Sequence, residues 1–145
     1  MRYNTKEEVL GVCKKEQIKF IELQFTDLLG QLKAITIPIT KLPDALDSIW
    51  FDGSSIEGFA RISESDMYLK PDISTFAILP WTKDNCFLTA RIICDIYKPD
   101  GQPYETDPRY ILKKQIKRAE QMGYKFNVGP ELEFFILKRK DGKII

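Results

Sequence analysis

The chain has 145 residues, 43% of them apolar and 12% aromatic, which suits one ordinary globular core and excludes a disordered or fibrous protein. Lys plus Arg number 22 against 21 Asp plus Glu, and the resulting net charge of +1 supplies no field for steering a nucleic-acid backbone or an anionic membrane. Histidine is absent, so imidazole bases, Ser-His or Cys-His nucleophile pairs and imidazole metal ligands are excluded within these residues; chemistry here has to run on carboxylates, hydroxyls and backbone.

Thr5 followed by Glu8 has capping-box spacing, and Val9, Val12 and Cys13 recur with a helical period, which predicts a short N-terminal helix within residues 1–13. From Lys19 the period drops to two: Ile21, Leu23 and Phe25 share one face, Glu22, Gln24 and Thr26 the other, as in a half-buried strand. Asp27 to Gly30 predicts a turn, and Leu32 to Ile37 a second strand closed by Pro38, so the two segments form a hairpin. Thr40 to Ser48 predicts one or two helical turns. Residues 52–66 follow neither period and predict an irregular loop of a length usually reserved for function.

Met67 to Leu69, Thr75 to Leu79 and Phe87 to Tyr97 predict further strands, the last central to its sheet because Leu88, Ala90, Ile92 and Cys94 line one face. Lys98 to Pro108 carries three prolines and a glycine and predicts a linker; Asp107 is a natural N-cap with Pro108 at the first helical position. Leu112, Ile116, Ala119 and Met122 mark one face of the helix that follows, and Gly123 stops it. Lys125 to Leu137 returns to strand character, and Lys140 to Lys143 predicts a hairpin turn whose second strand is cut short at Ile145, the expected mark of a piece of a longer polypeptide.

The cysteines, Cys13, Cys86 and Cys94, are odd in number, form no C-x-x-C and lie in apolar surroundings, which predicts buried reduced thiols. No apolar run approaches the ~18 residues of a membrane span, and the N-terminus carries charges in place of a signal sequence, so the expected location is cytoplasmic, without membrane association.

Three constellations stand out. Glu131 and Glu133, two apart in the apolar segment Val128 to Leu137, would project from one face of a strand with Cα atoms ~6.6 Å apart. Two parallel carboxylates suit hard divalent cations, though the same pattern fits a strand with one wet face. Asp52-Gly53-Ser54-Ser55 offers a carboxylate, two hydroxyls and backbone N–H groups at the head of the long loop, or simply a common turn. Arg61, among small and apolar residues, can clamp a carboxylate bidentately or sit in solvent like most arginines. No glycine-rich phosphate loop is present.

The run FDGSSIEGFARISESDMYLKPD (Phe51 to Asp72), together with LQFTDLLG, ARIICDIYKPDGQPYETDPR and GPELEFFIL in the same order, resembles the N-terminal part of glutamine synthetase, in particular the bacterial type I, Gram-positive-like subclass. The resemblance implies an α+β fold: a β-grasp (ubiquitin-like) domain over 14–99, then the first helix and strands of a catalytic domain over 106–145. It implies the ATP-dependent ligation of ammonia to glutamate through γ-glutamyl phosphate. Glu131 and Glu133 match the first two metal-ligating glutamates, with Mg²⁺ or Mn²⁺ as the cofactor and ATP as a substrate contacted mostly beyond residue 145. Asp52, with Ser54 and Ser55, matches the loop that enters a neighbouring subunit's ammonium site. Phe59 stands where many bacterial members have Trp, and Arg61 matches an arginine that mediates feedback inhibition by glutamine. The implied partners are glutamate, ammonium and ATP, further copies of the chain in a dodecamer, and nitrogen-regulatory transcription factors, with no direct nucleic acid and no membrane. The 145 residues alone are expected to be inactive. The competing expectation is a stand-alone β-grasp module that binds a protein partner.

Overall fold

A computed structural model describes residues 3–53, 66–83 and 87–145. The chain divides into two units, Met1–Gln115 and Ile116–Ile145.

In the first unit the N-terminal helix, α1 (Lys6–Lys15), begins as its spacing predicts. The Thr5 hydroxyl accepts from the Glu8 N–H at 3.1 Å, and the Glu8 carboxylate accepts from the Thr5 N–H at 3.3 Å, each satisfying an orphan donor of the first turn. The helix ends at Lys15, two residues past 13, with Lys14 and Lys15 in the last turn where cations oppose the helix dipole. Val9 and Cys13 are its buried positions.

Strands β1 (Phe20–Thr26) and β2 (Leu32–Pro38) form the predicted hairpin, with Phe20 opposite Pro38 and Thr26 opposite Leu32. Asp27 organises the turn: it is almost fully buried, and its Oδ1 accepts from the N–H of Leu29 at 3.0 Å and of Gln31 at 2.8 Å. A 3₁₀ turn at Ile39–Lys41 and the short helix α2 (Leu42–Ala45) account for the helical turns predicted after it. Two strands depart from expectation. The four-residue β3 (Ile49–Asp52) is too short for an alternation to reveal. β4 (Asp66–Ile78) is one strand of 13 residues where sequence period predicts two. Its buried positions run in step through Met67, Leu69 and Pro71 and change phase before Phe76, because the register on its neighbour β5 (Thr89–Tyr97) shifts between Asp72 and Ala77.

The sheet order is β2-β1-β5-β4-β3, so β5 is central as its apolar face predicts; β1 and β5 run parallel, and every other pair is antiparallel. A helix packed over such a mixed sheet is the β-grasp arrangement. The core joins Val9 and Cys13 of α1 and Leu42 and Ala45 of α2 to Ile21, Leu23, Leu69, Ile92 and Ile96 of the strands. Each fully buried aliphatic side chain contributes roughly 2 kcal/mol. Burial pushes the Cys13 thiol up to about 11 and the Cys94 thiol well above its ordinary range, and both are free thiols. Cys86 lies outside the described residues.

The predicted linker is an ordered reverse turn. Lys98 N–H donates to Gln102 O at 2.8 Å, Tyr104 N–H to Ile96 O at 2.9 Å, and Tyr97 bridges to Pro103. It delivers the buried Asp107 to the start of α3 (Pro108–Gln121), where Oδ1 accepts from Arg109 N–H at 3.0 Å as an N-cap and Oδ2 accepts from Ile96 N–H of β5 at 3.1 Å.

In the second unit α3 ends at Gln121, and Gly123, with φ of +81, takes the left-handed conformation glycine favours just past it; Tyr124 N–H returns to Ala119 O at 2.9 Å. Ile116 and Ala119 are half-buried, while Met122 is exposed. Residues 125–137, where alternation predicts a strand, form no ladder with any described residue, and Leu132, Phe134, Phe135 and Ile136 are exposed. The predicted hairpin turn does form, between β6 (Arg139–Lys140) and β7 (Lys143–Ile144), with positive φ at both Asp141 and Gly142 as a type I′ turn requires. Among the described residues no helix is long and apolar enough to cross a membrane.

Candidate functional site

Asp52 is the last residue of β3, an edge strand whose one neighbour among the described residues is β4. Three apolar or aromatic residues precede it. Phe51 turns into the core, its ring centroid 5.1 Å from that of Phe25, while Trp50 stays half-exposed with its ring against Tyr68. This inward and outward alternation anchors the strand and leaves Asp52 exposed at its end, followed by the buried Gly53. A groove of about 390 Å³ runs beside it, lined by Phe25, Lys33, Ala34, Ile35, Trp50 and Phe51 with Asp52 itself.

The register places Asp66, the first residue of β4, directly opposite Asp52. Two like charges facing across a ladder repel one another, an arrangement that a cation between or beside them relieves. Asp66 is the residue that sequence reasoning missed here. It fell at the far end of the predicted loop, and only the β3–β4 pairing joins the two ends. Ser54, Ser55, Phe59 and Arg61 lie outside the described residues.

Glu131 and Glu133 lie in the second unit, both exposed, in the segment without a ladder. Among the described residues no group of three or more Cys, Asp or Glu side chains gathers to hold a metal ion. The pair therefore offers hard oxygen donors of the type Mg²⁺ and Mn²⁺ take, as part of a ligand set rather than the whole of one.

A second charged cluster was invisible in the sequence because its members lie 14 and 37 positions apart: Arg109 on α3 reaches Asp95 of β5 through Nε at 2.8 Å and Asp72 of β4 through Nη2, and Lys113 holds the other oxygen of Asp95 at 2.6 Å. Asp72 is also held by the Ser74 hydroxyl at 2.7 Å. Burial alone would raise its carboxyl; the Ser74 hydrogen bonds and the Arg109 and Lys113 charges outweigh that and leave it below the usual range. Asp107 goes the other way, raised by burial against the opposing effect of the backbone N–H groups it accepts from.

Comparison with known proteins gives these positions a family. Residues 17–99 match the model of the glutamine synthetase β-grasp domain, and residues 105–144 match that of the glutamine synthetase catalytic domain. Glutamine synthetase of Thermotoga maritima is 55% identical over 134 residues, and that of Methanosarcina mazei is 55% identical over 135. Glutamine synthetase of Staphylococcus aureus is 50% identical over 136 residues. Each alignment covers 92% of this chain, and the chain spans only 30% of the length of these relatives. The cryo-EM structure of Plasmodium falciparum glutamine synthetase superposes with a TM-score of 0.75 at 26% identity, over 85% of this chain and 24% of that one. A second solved structure, a GmaS/ADP complex, shares the fold at a TM-score of 0.70 and 24% identity, over 78% of this chain and 25% of that one. With both domain models matched in order along it, the chain belongs to the glutamine synthetase family.

Proposed function

We propose that this chain is the N-terminal part of an ATP-dependent glutamate–ammonia ligase that works in the cytoplasm, with a β-grasp domain over 14–99 and the start of a catalytic domain over 106–145. The observation that carries this reading is Asp52, held exposed at the end of an edge strand beside a groove, with Asp66 opposite it. The reaction makes glutamine from glutamate, ATP and ammonia through γ-glutamyl phosphate, within a homo-oligomer, expected to be a dodecamer, whose active sites lie between subunits.

In this reading Asp52, accompanied by Ser54 and Ser55, serves the neighbouring subunit. Its negative charge favours ammonium over neutral competitors, and its carboxylate then takes the proton as ammonia is released for attack. Asp66 adds to the same negative potential. Glu131 and Glu133 would each hold one of two divalent ions, Mg²⁺ or Mn²⁺. When bound, such ions neutralise phosphate charge and align the transferring group. ATP would be contacted mainly by residues from the further length that the relatives possess. Arg61 would sense glutamine as a feedback inhibitor, and nitrogen-regulatory transcription factors are proposed partners of the assembled enzyme.

Subunit mixing tests the shared site. Full-length Asp52→Ala and Glu133→Gln subunits should each be inactive alone and regain activity when reassembled together, with roughly a quarter of the sites restored at random mixing in a head-to-tail ring. Inactivity at every mixing ratio, with intact oligomers, would rule out sharing. Separately, Arg61→Ala should weaken inhibition by glutamine without altering kcat; unchanged inhibition removes that role.

A further inference from the structure

The face of the sheet turned away from the core carries an aromatic row across three strands. Met67, Leu69 and Pro71 of β4 are buried, so Tyr68 and Lys70 project from the opposite face, as Tyr97 does on β5 beside the buried Ile96. The register sets Trp50 opposite Tyr68 and Tyr68 opposite Tyr97, and the Trp50 ring braces Tyr68 with their centroids 3.6 Å apart. Next to this row lies a concavity of about 380 Å³ whose lining includes Tyr68, Tyr97, Lys70, Ser48, Asp47 and Pro99, a volume in the range of small-molecule sites.

The charge left unspent in this concavity is positive. Lys70 lies opposite Asp95 in the ladder, but a clasp from α3 has taken that carboxylate: Arg109 Nε donates to Oδ1 at 2.8 Å and Lys113 Nζ to Oδ2 at 2.6 Å, while Arg109 also holds Asp72. Asp47, the acidic residue of the lining, is paired with Lys6. Asp100, on the adjoining turn, accepts from Gln102 N–H at 2.9 Å. Among the described residues Lys70 makes no salt bridge; its ammonium rests 5.3 Å from the centroid of the Tyr97 ring, a weak substitute for a carboxylate. The hydroxyls of Ser48, Tyr68 and Tyr97 donate to no described group either. One ammonium, three hydroxyl donors and a flat apolar wall thus share one concavity in which Asp47 is already neutralised.

We propose that this concavity is a binding site for a small phosphate monoester that carries a flat ring. It shares no lining residue with the groove beside Asp52. The ring lies against Tyr68 and Pro99, and the phosphate faces Lys70, which exchanges the Tyr97 ring for a stronger partner. A tetrahedral dianion has oxygens enough for an ammonium and for hydroxyls arriving from separate strands; the two coplanar oxygens of a carboxylate suit a planar guanidinium fork better, and here the partner is a lysine.

Calorimetric titration of the full-length oligomer tests this, with phenyl phosphate as the probe and the catalytic sites filled by glutamate and a non-hydrolysable ATP analogue. Phenyl phosphate should bind once per subunit, and inorganic phosphate, phenol and benzoate should each bind at least about tenfold more weakly, since each lacks part of the recognised group. Lys70→Gln should weaken phenyl phosphate by about tenfold, and Lys70→Arg by less than about threefold because the charge is kept. Lys70 is exposed, so neither change touches the core. Tyr68→Leu should weaken phenyl phosphate and leave inorganic phosphate unaltered. Absence of binding by phenyl phosphate at millimolar concentration, equal affinity for inorganic phosphate or benzoate, or undiminished binding by Lys70→Gln overturns the proposal. None of these outcomes bears on the ligase reading, which subunit mixing decides.

Discussion

The strand β5 and the segment 125–137 carry similar sequence signals and meet opposite fates. β5 alternates Ala90, Ile92, Cys94 and Ile96 on one face, all fully or almost fully buried, between two hydrogen-bonded neighbours. Residues 132–136 alternate as strongly, yet Leu132, Phe134 and Ile136 are each more than three-quarters exposed and no described strand pairs with them. Alternation states which side chains could share a face. It does not supply the partner whose N–H and C=O groups make a ladder, and without a partner the backbone has no reason to settle as a strand. The same holds for the helix face of Leu112, Ile116, Ala119 and Met122, which is regular in sequence and only half-buried at best.

The sharpest way to break this comparison is to truncate one residue in each region. Leu69→Ala, in the fully buried core of the sheet, should lower the unfolding free energy of the 145-residue chain by about 3 kcal/mol in urea titration. A loss below about 1 kcal/mol would mean that the core is not packed as described. Asp107→Ala comes next: it leaves Ile96 N–H buried without its acceptor and uncaps α3, at a cost of about 2 kcal/mol, and hydrogen exchange at Ile96 should accelerate with it.

A smaller effect concerns pH. Asp72 is held below the ordinary carboxylate range, so it contributes stability above its unfolded pKa of about 4 that is lost as pH falls through its lower folded value. Asp72→Asn should flatten the acid limb of the stability curve while leaving the slope above pH 6 unchanged; an unaltered acid limb would show that the clasp contributes nothing in solution. Asp107, raised by burial, has the reverse sign and becomes less costly as pH falls, so it cannot produce this loss. At the bottom of the scale, Phe135→Ser in the ladder-free segment should change stability by less than about 0.5 kcal/mol. A loss resembling that of Leu69→Ala would show that the segment is packed after all.

Local pairings were legible in the sequence because each is complete within a few residues. The Thr5–Glu8 capping box, the Asp27 turn, the β1–β2 hairpin, the Asp107 cap with Pro108 after it, and the Asp141–Gly142 turn each bring donor and acceptor together across five positions or fewer, the hairpin apart. The candidate site was legible as residue types: a carboxylate at Asp52 heading a long irregular run, and two glutamates two apart. Its geometry was not. That Asp66 faces Asp52 depends on the pairing of a four-residue edge strand too short to announce itself, and the groove beside Asp52 depends on Phe25 and Ile35 meeting Trp50 and Phe51 from another part of the chain.

By itself, then, the sequence determined the family, the helix caps, the turns and which face of each strand is apolar, since these follow from side-chain chemistry and spacing along one stretch of backbone. Tertiary structure alone decided that β1 and β5 run parallel at the centre of the sheet, that the β4–β5 ladder breaks between Asp72 and Ala77, and that Arg109 ties Asp72 of β4 to Asp95 of β5. Those are contacts between residues far apart in the chain, and no local period records which distant strand or side chain will be there to complete them.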